Sequence, residues 1–345
     1  MKRIFTLIAL FATLAVQAQN TQTAAAEAAE ALSAAEDVPE KVEKPKYWEH
    51  NLVTSLTFGQ TFLSQWAAGG YNTVTLSGGI DASANYAKDK LIGQNRLQLD
   101  YGFLYSADKP ILQKNKDRIY LESKWGYETP VKHLAYSANF DFRTQFDNNY
   151  DYKTPASDGT TEPSVQDWLN ARKLKSGFFA PAYLNVGLGV LWTPKPWFSL
   201  NFAPLSGGGV FVDIPDLRKT YGMQLREEGL DDAIGTNYKP FRLEFGAQLK
   251  IDMSWVINDV FTYGTQITAF YNYLTPAVEP RLTWDNKISW KLAKFFTLNL
   301  STFMIYDPLV LVRDTDKDGV VDGKGLQFKE FFELGFTYAI SSKKK

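Results

Sequence analysis

The chain has 345 residues, no cysteine, 15% aromatic residues and a formal net charge of -1. Absence of cysteine excludes a disulfide framework, thiol chemistry and a lipid-modified N-terminal cysteine, and the balanced charge provides no basic face for nucleic acid. Mean hydropathy is -0.26, and no uninterrupted apolar run reaches the roughly 18 residues that a spanning helix needs.

Taken in order, the chain opens with Lys2 and Arg3, an apolar stretch over 4–16 and the small-x-small triplet Val16-Gln17-Ala18. This is the pattern of a cleaved export signal over 1–18, with a mature start expected at Gln19. Residues 19–46 are rich in Ala, Glu, Lys and Pro and carry almost no large apolar side chains. They are expected to form a flexible periplasmic leader. From 47 the composition changes, and one domain is expected over 47–345.

The stretch 72–86 shows the design of that domain. Val74, Leu76, Gly78, Ile80, Ala82, Ala84 and Tyr86 share one parity, while Thr73, Thr75, Ser77, Gly79, Asp81, Ser83 and Asn85 share the other. Side chains of a strand alternate between faces, so this reads as a strand with one apolar and one polar side. It exceeds the usual globular strand of about 5–6 residues and suits a tilted membrane-spanning one of roughly 9–11. Similar segments recur over 52–63, 94–105, 118–127, 134–145, 183–192, 197–203, 241–254, 261–273, 281–292, 296–306 and 327–340. The expected fold is therefore all-β: an antiparallel, up-and-down transmembrane β-barrel of about 12 strands. Counting 210–213 as a further strand would make room for about 14.

Loop lengths sort by parity. The connections 87–93, 128–133, 193–196, 255–260 and 293–295 are short, whereas 146–182, 204–240 and 307–326 are long. Short turns belong on the periplasmic side of an outer-membrane barrel and long loops outside, which places both termini in the periplasm. Trp48, Trp125, Trp192, Trp197, Trp255 and Trp290, with Tyr86, Tyr127 and Tyr338, fall near the short-turn ends. Amphipathic rings prefer the headgroup layer, so they read as one interfacial girdle, and outer-membrane lipid is the expected surroundings. The competing explanation is simply bulk for a β-sheet core.

Chemistry is sparse. His50 and His133 both fall at the periplasmic rim, away from where a surface hydrolase would need its base. The expectation is a non-enzyme, with a carboxylate-based surface hydrolase as the remaining enzymatic route and no catalytic residue named. The polar parity is charged with both signs: Arg96, Asp100, Arg118, Glu122, Asp141, Arg143, Arg242, Glu244, Arg281 and Asp285, joined by Lys124, Lys250, Asp252, Lys287 and Lys291. Arg or Lys facing lipid at midplane costs about 2–4 kcal/mol, so these groups are expected to line the lumen. There they either line a solute path or pair and fill a narrow interior. Barrels near this strand number allow both.

Asp314, Asp316, Asp318 and Asp322 have the alternate spacing of a calcium loop, with Gly319 for the turn. The position of the usual bidentate Glu is Gly325, and the alternative is an acidic turn-rich loop tip. Calcium there would stiffen an outer loop, and no other cofactor is expected. The Gly207-Gly208-Gly209 run is not a phosphate loop, because no helical pattern follows it.

The segment Trp66-Ala67-Ala68-Gly69-Gly70-Tyr71-Asn72 is a short glycine-rich connection. It resembles the W-x-x-G-G-x-N signature of an uncharacterised exported bacterial family catalogued as domain of unknown function 3078, through Trp66, Gly69, Gly70 and Asn72. Lys116-Asp117-Arg118 through Gly126-Tyr127, Phe142-Arg143-Thr144-Gln145-Phe146 and Phe179-Ala180-Pro181-Ala182-Tyr183 resemble its other blocks. The resemblance implies an outer-membrane or outer-membrane-associated β-protein, over nearly all of the chain after the leader, and assigns no activity. The function expected is an outer-membrane barrel that forms a narrow channel or binder for a small polar solute. The alternative is a scaffolding barrel with a plugged lumen, whose outer loops meet partner proteins or glycans.

Overall fold

A computed structural model describes residues 47–62, 71–156, 163–275, 279–313, 315 and 322–341. The export signal and leader (1–46), Trp66, Gly69, Gly70, Asp314, Asp316 and Asp318 lie outside the described residues.

The strands in chain order are β1 (Trp48–Thr61), β2 (Thr73–Lys88), β3 (Leu91–Ser106), β4 (Lys109–Glu128), β5 (Leu134–Thr144), β6 (Asn149–Tyr152) and β7 (Arg172–Ser176). They continue as β8 (Ala182–Lys195), β9 (Phe198–Phe211), β10 (Phe241–Asn258), β11 (Phe261–Asn272), β12 (Arg281–Lys291), β13 (Phe296–Arg313) and β14 (Gly323–Ser341). A short helix, α1 (Val165–Asn170), precedes β7 and is capped by Ser164 and Asp167 in a reciprocal capping box. Twelve strands close an antiparallel barrel in the order β1-β2-β3-β4-β5-β8-β9-β10-β11-β12-β13-β14, with β14 returning to β1; β6 and β7 form a separate two-stranded sheet. Each expected barrel segment matches one barrel strand. The count of fourteen is corrected: Val210 and Phe211 end β9, and the remaining pair of strands belongs to a loop.

Several strands run further than the alternation predicts, β4 and β9 the furthest, and β13 extends to Arg313. β4 begins at Lys109 rather than near 118, because a bulge at Asn115 (Gly102 opposes Lys116, Phe103 opposes Lys114) switches the parity of everything before it. β9 continues through 204–211 past a bulge at Pro204 and Leu205, where Gly246 opposes Ser206 but Gln248 opposes Ala203. Proline fits there because a bulged residue owes no hydrogen bond to the ladder. Gly208 and Gly209 beyond it are required by close approach: a Cβ on Gly208 would lie 2.0 Å from the Leu184 carbonyl oxygen.

The wall sorts by the pleat. Outward side chains are apolar and open, with Leu243 62%, Phe332 70% and Leu56 48% exposed, whereas inward Lys250 and Glu244 are 3% and 4% exposed. The outward interruptions on β11–β13 satisfy one another: Tyr263 Oη donates to Asn286 Oδ1 (2.8 Å), Asn286 Nδ2 to Thr302 Oγ1 (3.2 Å) and Trp284 Nε1 to Thr265 Oγ1 (2.8 Å). Glu330 of β14, directly opposite Thr302, extends this row.

One rim carries only short turns, and the other carries the long loops together with the two-residue turn between β3 and β4. His133, in the turn after β4, takes a left-handed φ of 64°, and His50 sits on β1 opposite Ala84, both at the turn rim. The aromatic rings cluster along that same rim. Trp48 packs edge-on to Trp125 at 6.2 Å, Trp197 lies 5.4 Å from Trp255, and Trp255 stacks on Tyr263 at 5.4 Å.

Candidate functional site

The inward parities of β4, β5, β9, β10 and β12 project charged and amide groups into one interior, and these reach across it. Lys250 Nζ of β10 donates to Glu122 Oε1 of β4 at 2.8 Å and to Tyr120 Oη at 3.2 Å. Lys124 Nζ of β4 contacts the same Glu122 at 3.0 Å and Asp252 of β10 at 2.7 Å. Asp141 of β5 stands 3.8 Å from Lys250. The side chains of Lys250, Lys124 and Glu122 are 4%, 5% and 8% exposed. Asn139 Nδ2 donates to Gln248 Oε1 and Asn201 Nδ2 to Ser137 Oγ in the same layer. Charges taken out of water need partners on every side, and here each cation has two oxygen partners or more. This layer spans the interior from β4 and β5 to β9 and β10.

Arg96 of β3, directly opposite Glu122, forms a two-pronged pair with Asp81 (2.9 and 2.6 Å). Towards the loop rim, Arg118 of β4 crosses to Asp285 of β12 at 3.2 Å, and Lys116 reaches Glu333 of β14 at 3.0 Å and Asp100 at 3.9 Å. Arg281 grips Glu244 through both guanidinium nitrogens at 3.0 and 2.9 Å, with Arg242 on the same carboxylate at 3.1 Å. Asp307 lies 3.8 Å from Arg281. Arg143 of β5 differs: its guanidinium lies over the Tyr183 ring at 4.7 Å and the Phe303 ring at 5.8 Å.

Above this layer the loop 212–240 folds over the mouth. Val212, Leu217, Met223 and Tyr238 pack with Ala180 and Val210 into a buried apolar cluster against Leu174, Tyr183, Ile214, Tyr221 and Leu225. Buried Arg218 organises the loop from within, donating to the carbonyls of Val212 (3.0 Å), Asp213 (2.9 Å) and Tyr238 (3.2 Å). Arg242, rooted in the wall, donates to the carbonyls of Tyr221 (2.9 Å) and Gly222 (2.7 Å) and so ties cap to lumen. The loop also reaches β13, where Leu311 N–H donates to the Thr220 carbonyl. Gly222 fits here because its φ is +65° and a Cβ would stand 2.4 Å from the Leu309 carbonyl oxygen. Burial pushes the Tyr221 phenol well above the ordinary tyrosine range, and its hydroxyl donates to the Lys175 carbonyl at 3.1 Å.

The expected lumen residues are thus brought together in pairs and layers. Sequence reasoning missed the partners, the cap, and the rings of Tyr120, Tyr183 and Phe303 among the charges. Tyr120, Tyr183 and Phe303 do sit on inward parity, and an aromatic on a polar parity is a usable signal. Of the calcium residues only Asp322 lies among the described residues: it accepts from Thr315 N–H and Oγ1, which holds its carboxyl below the usual range. Asn72 precedes β2, and its carbonyl accepts from Ala107 N–H.

No curated protein matches the sequence. Among solved structures, the chain is similar to an outer membrane channel from Pseudomonas putida F1 (11% identity, 89% of this chain and 100% of that one, TM-score 0.35). It is also similar to the translocator domain of the autotransporter NalP from Neisseria meningitidis (8% identity, 86% and 90% covered, TM-score 0.35). A third is the Pseudomonas putida toluene transporter TodX (11% identity, 86% and 90% covered, TM-score 0.31). Residues 58–150, which run from β1 into β6 and include the first three resembling blocks but not Phe179–Tyr183, match the family described as "Protein of unknown function (DUF3078)".

Proposed function

We propose that the protein is an outer-membrane β-barrel that stands closed, a scaffold whose folded outer loops present the working surface to a partner protein or a glycan. The observation that carries this reading is the buried Lys250–Glu122–Lys124 cluster across the waist, with half-buried Asp252 beside it. Wide barrels leave a water channel, whereas small ones close around packed side chains, and this interior belongs with the second kind. It favours the plugged reading over the narrow channel for a small polar solute. The membrane setting is supported by the open apolar outward face and by the aromatic rim at the short turns. Calcium in the loop 314–322 stays part of the proposal on its spacing alone, with stiffening of an outer loop as its role.

Purified full-length protein in a planar bilayer is expected to give no stepwise currents, and a Glu122→Ala/Lys124→Ala/Lys250→Ala variant to give them. Stepwise currents from the unaltered protein would overturn the closed reading. The membrane belt has its own check. Tryptophan emission of protein reconstituted in vesicles of brominated lipid is expected to be strongly quenched, and unchanged emission would show that the apolar face does not meet acyl chains.

A further inference from the structure

Beneath the cap, three arginines from different parts of the wall converge on two rings. Arg143 and Arg281 lie over Tyr183 at 4.7 and 5.4 Å, and Arg143 and Arg118 over Phe303 at 5.8 and 5.7 Å. Their carboxylate supply is already committed. Asp285 is taken by Arg118, and Glu244 by both Arg281 and Arg242. Asp307 faces Arg281. Among the described residues no carboxylate pairs with Arg143, which makes ring contacts instead. The Nε atoms of Arg118 and Arg242 are buried and have no acceptor, and Asp307 Oδ2 is a buried acceptor that no donor reaches within hydrogen-bond distance. Arg143, half-buried, therefore keeps donor capacity that no carboxylate among the described residues takes up.

A guanidinium without a carboxylate, next to two more guanidinium groups and braced on aromatic faces, suits a ligand with several negatively charged oxygens. The planar fork matches two oxygens of a carboxylate or phosphate at once, and the stacked rings hold the fork in place before the ligand arrives. The cap adjoins this cluster, because Arg242 holds the Tyr221 and Gly222 carbonyls beside it. We propose that this cluster under the cap is a binding site for a small oxyanion, a free phosphate or dicarboxylate, with Arg143 as its principal ligand and Arg118 and Arg281 flanking it. The site takes an ion into the mouth of the barrel and does not require that the ion pass the waist.

Calorimetric titration of the folded full chain in detergent, at constant ionic strength, tests this with inorganic phosphate and with succinate as separate probes. Binding of one or both is expected, and which one binds identifies the class. Arg143→Gln is expected to weaken that binding at least tenfold, as befits loss of charged hydrogen bonds. Arg143→Lys, which keeps the charge but loses the fork, should fall between the two. Arg96→Gln alters a lumen arginine outside this cluster, already paired with Asp81, and should bind as the unaltered protein does. Circular dichroism of each variant verifies that the barrel has formed. The proposal is overturned if neither probe binds, if Arg143→Gln binds as well as the unaltered protein, or if Arg96→Gln loses as much. Bilayer conductance reports on the waist independently, so currents through an anion-binding barrel would sink the closed reading and leave this site standing.

Discussion

Replacing Lys250 by alanine is expected to destabilise the barrel by about 3–5 kcal/mol, the usual cost of removing one partner from a buried ion pair. The size follows from what is left behind. Glu122 keeps only Lys124 as a cationic partner, and Lys124 already divides itself between Glu122 and Asp252. Tyr120 loses the donor to its hydroxyl as well. Urea unfolding in lipid vesicles, followed by tryptophan emission, measures the loss as a lower midpoint at constant slope. Removing both charges together, as Glu122→Gln/Lys250→Met, should recover much of it, because the penalty lies in the orphaned charge more than in the missing attraction. A loss under about 1 kcal/mol for the alanine variant would mean that water reaches the waist and that the pairs behave as surface ones.

Replacing Arg242 by alanine is expected to release the cap while leaving the barrel intact. Two hydrogen bonds from a charged donor to the Tyr221 and Gly222 carbonyls disappear, and each such bond contributes about 1.5–3 kcal/mol. Even one of them shifts the opening of the loop at least tenfold, since about 1.4 kcal/mol corresponds to a factor of ten. Glu244 remains gripped by Arg281 through two nitrogens, so the wall beneath is not left with an unpaired carboxylate. Trypsin cleavage at Lys219 and Arg226, both on this loop, should therefore accelerate about tenfold or more. The Tyr221 phenol, pushed up by burial in the closed cap, should move back towards the ordinary tyrosine range in spectrophotometric titration. Unchanged cleavage would assign the cap's hold to Met223, Tyr238 and their apolar neighbours instead.

Much of this architecture is legible in the order of residues, and the parts that are not share a cause. Alternation in 72–86 identifies β2 and its lipid-side face because a strand's period is two and one side is apolar. Loop lengths then separate the two rims without any knowledge of pairing. The upper half of β4 stays hidden because the bulge at Asn115 switches its parity. The upper half of β9 stays hidden because its bulge and its three consecutive glycines read as a loop, although Gly208 and Gly209 are there to admit the backbone and rings of the adjoining strands. Parity also places Lys250 and Glu122 inside, yet not together. They are 128 positions apart, and their meeting depends on how the sheet is sheared and closed, which a one-strand pattern does not encode. Arg218 and the cap escape for a similar reason, since a folded loop has no period.

The meeting of β14 with β1 runs only from Asn51↔Ser341 to Thr57↔Gly335, about half the span over which β1 meets β2. Every other seam joins strands near in sequence or separated by one folded loop, so neighbouring hairpins can zip locally. This last seam ties together residues 284 positions apart, as in the bond from Thr54 to Tyr338. It carries the full loop-closure entropy of the chain for the smallest return in backbone pairing. Assembly is thus ordered in time: a growing ribbon exposes two raw edges until its end strands find each other. Any helper that escorts this chain into a bilayer must shield those edges, and the step it governs is the stitching of this one short seam.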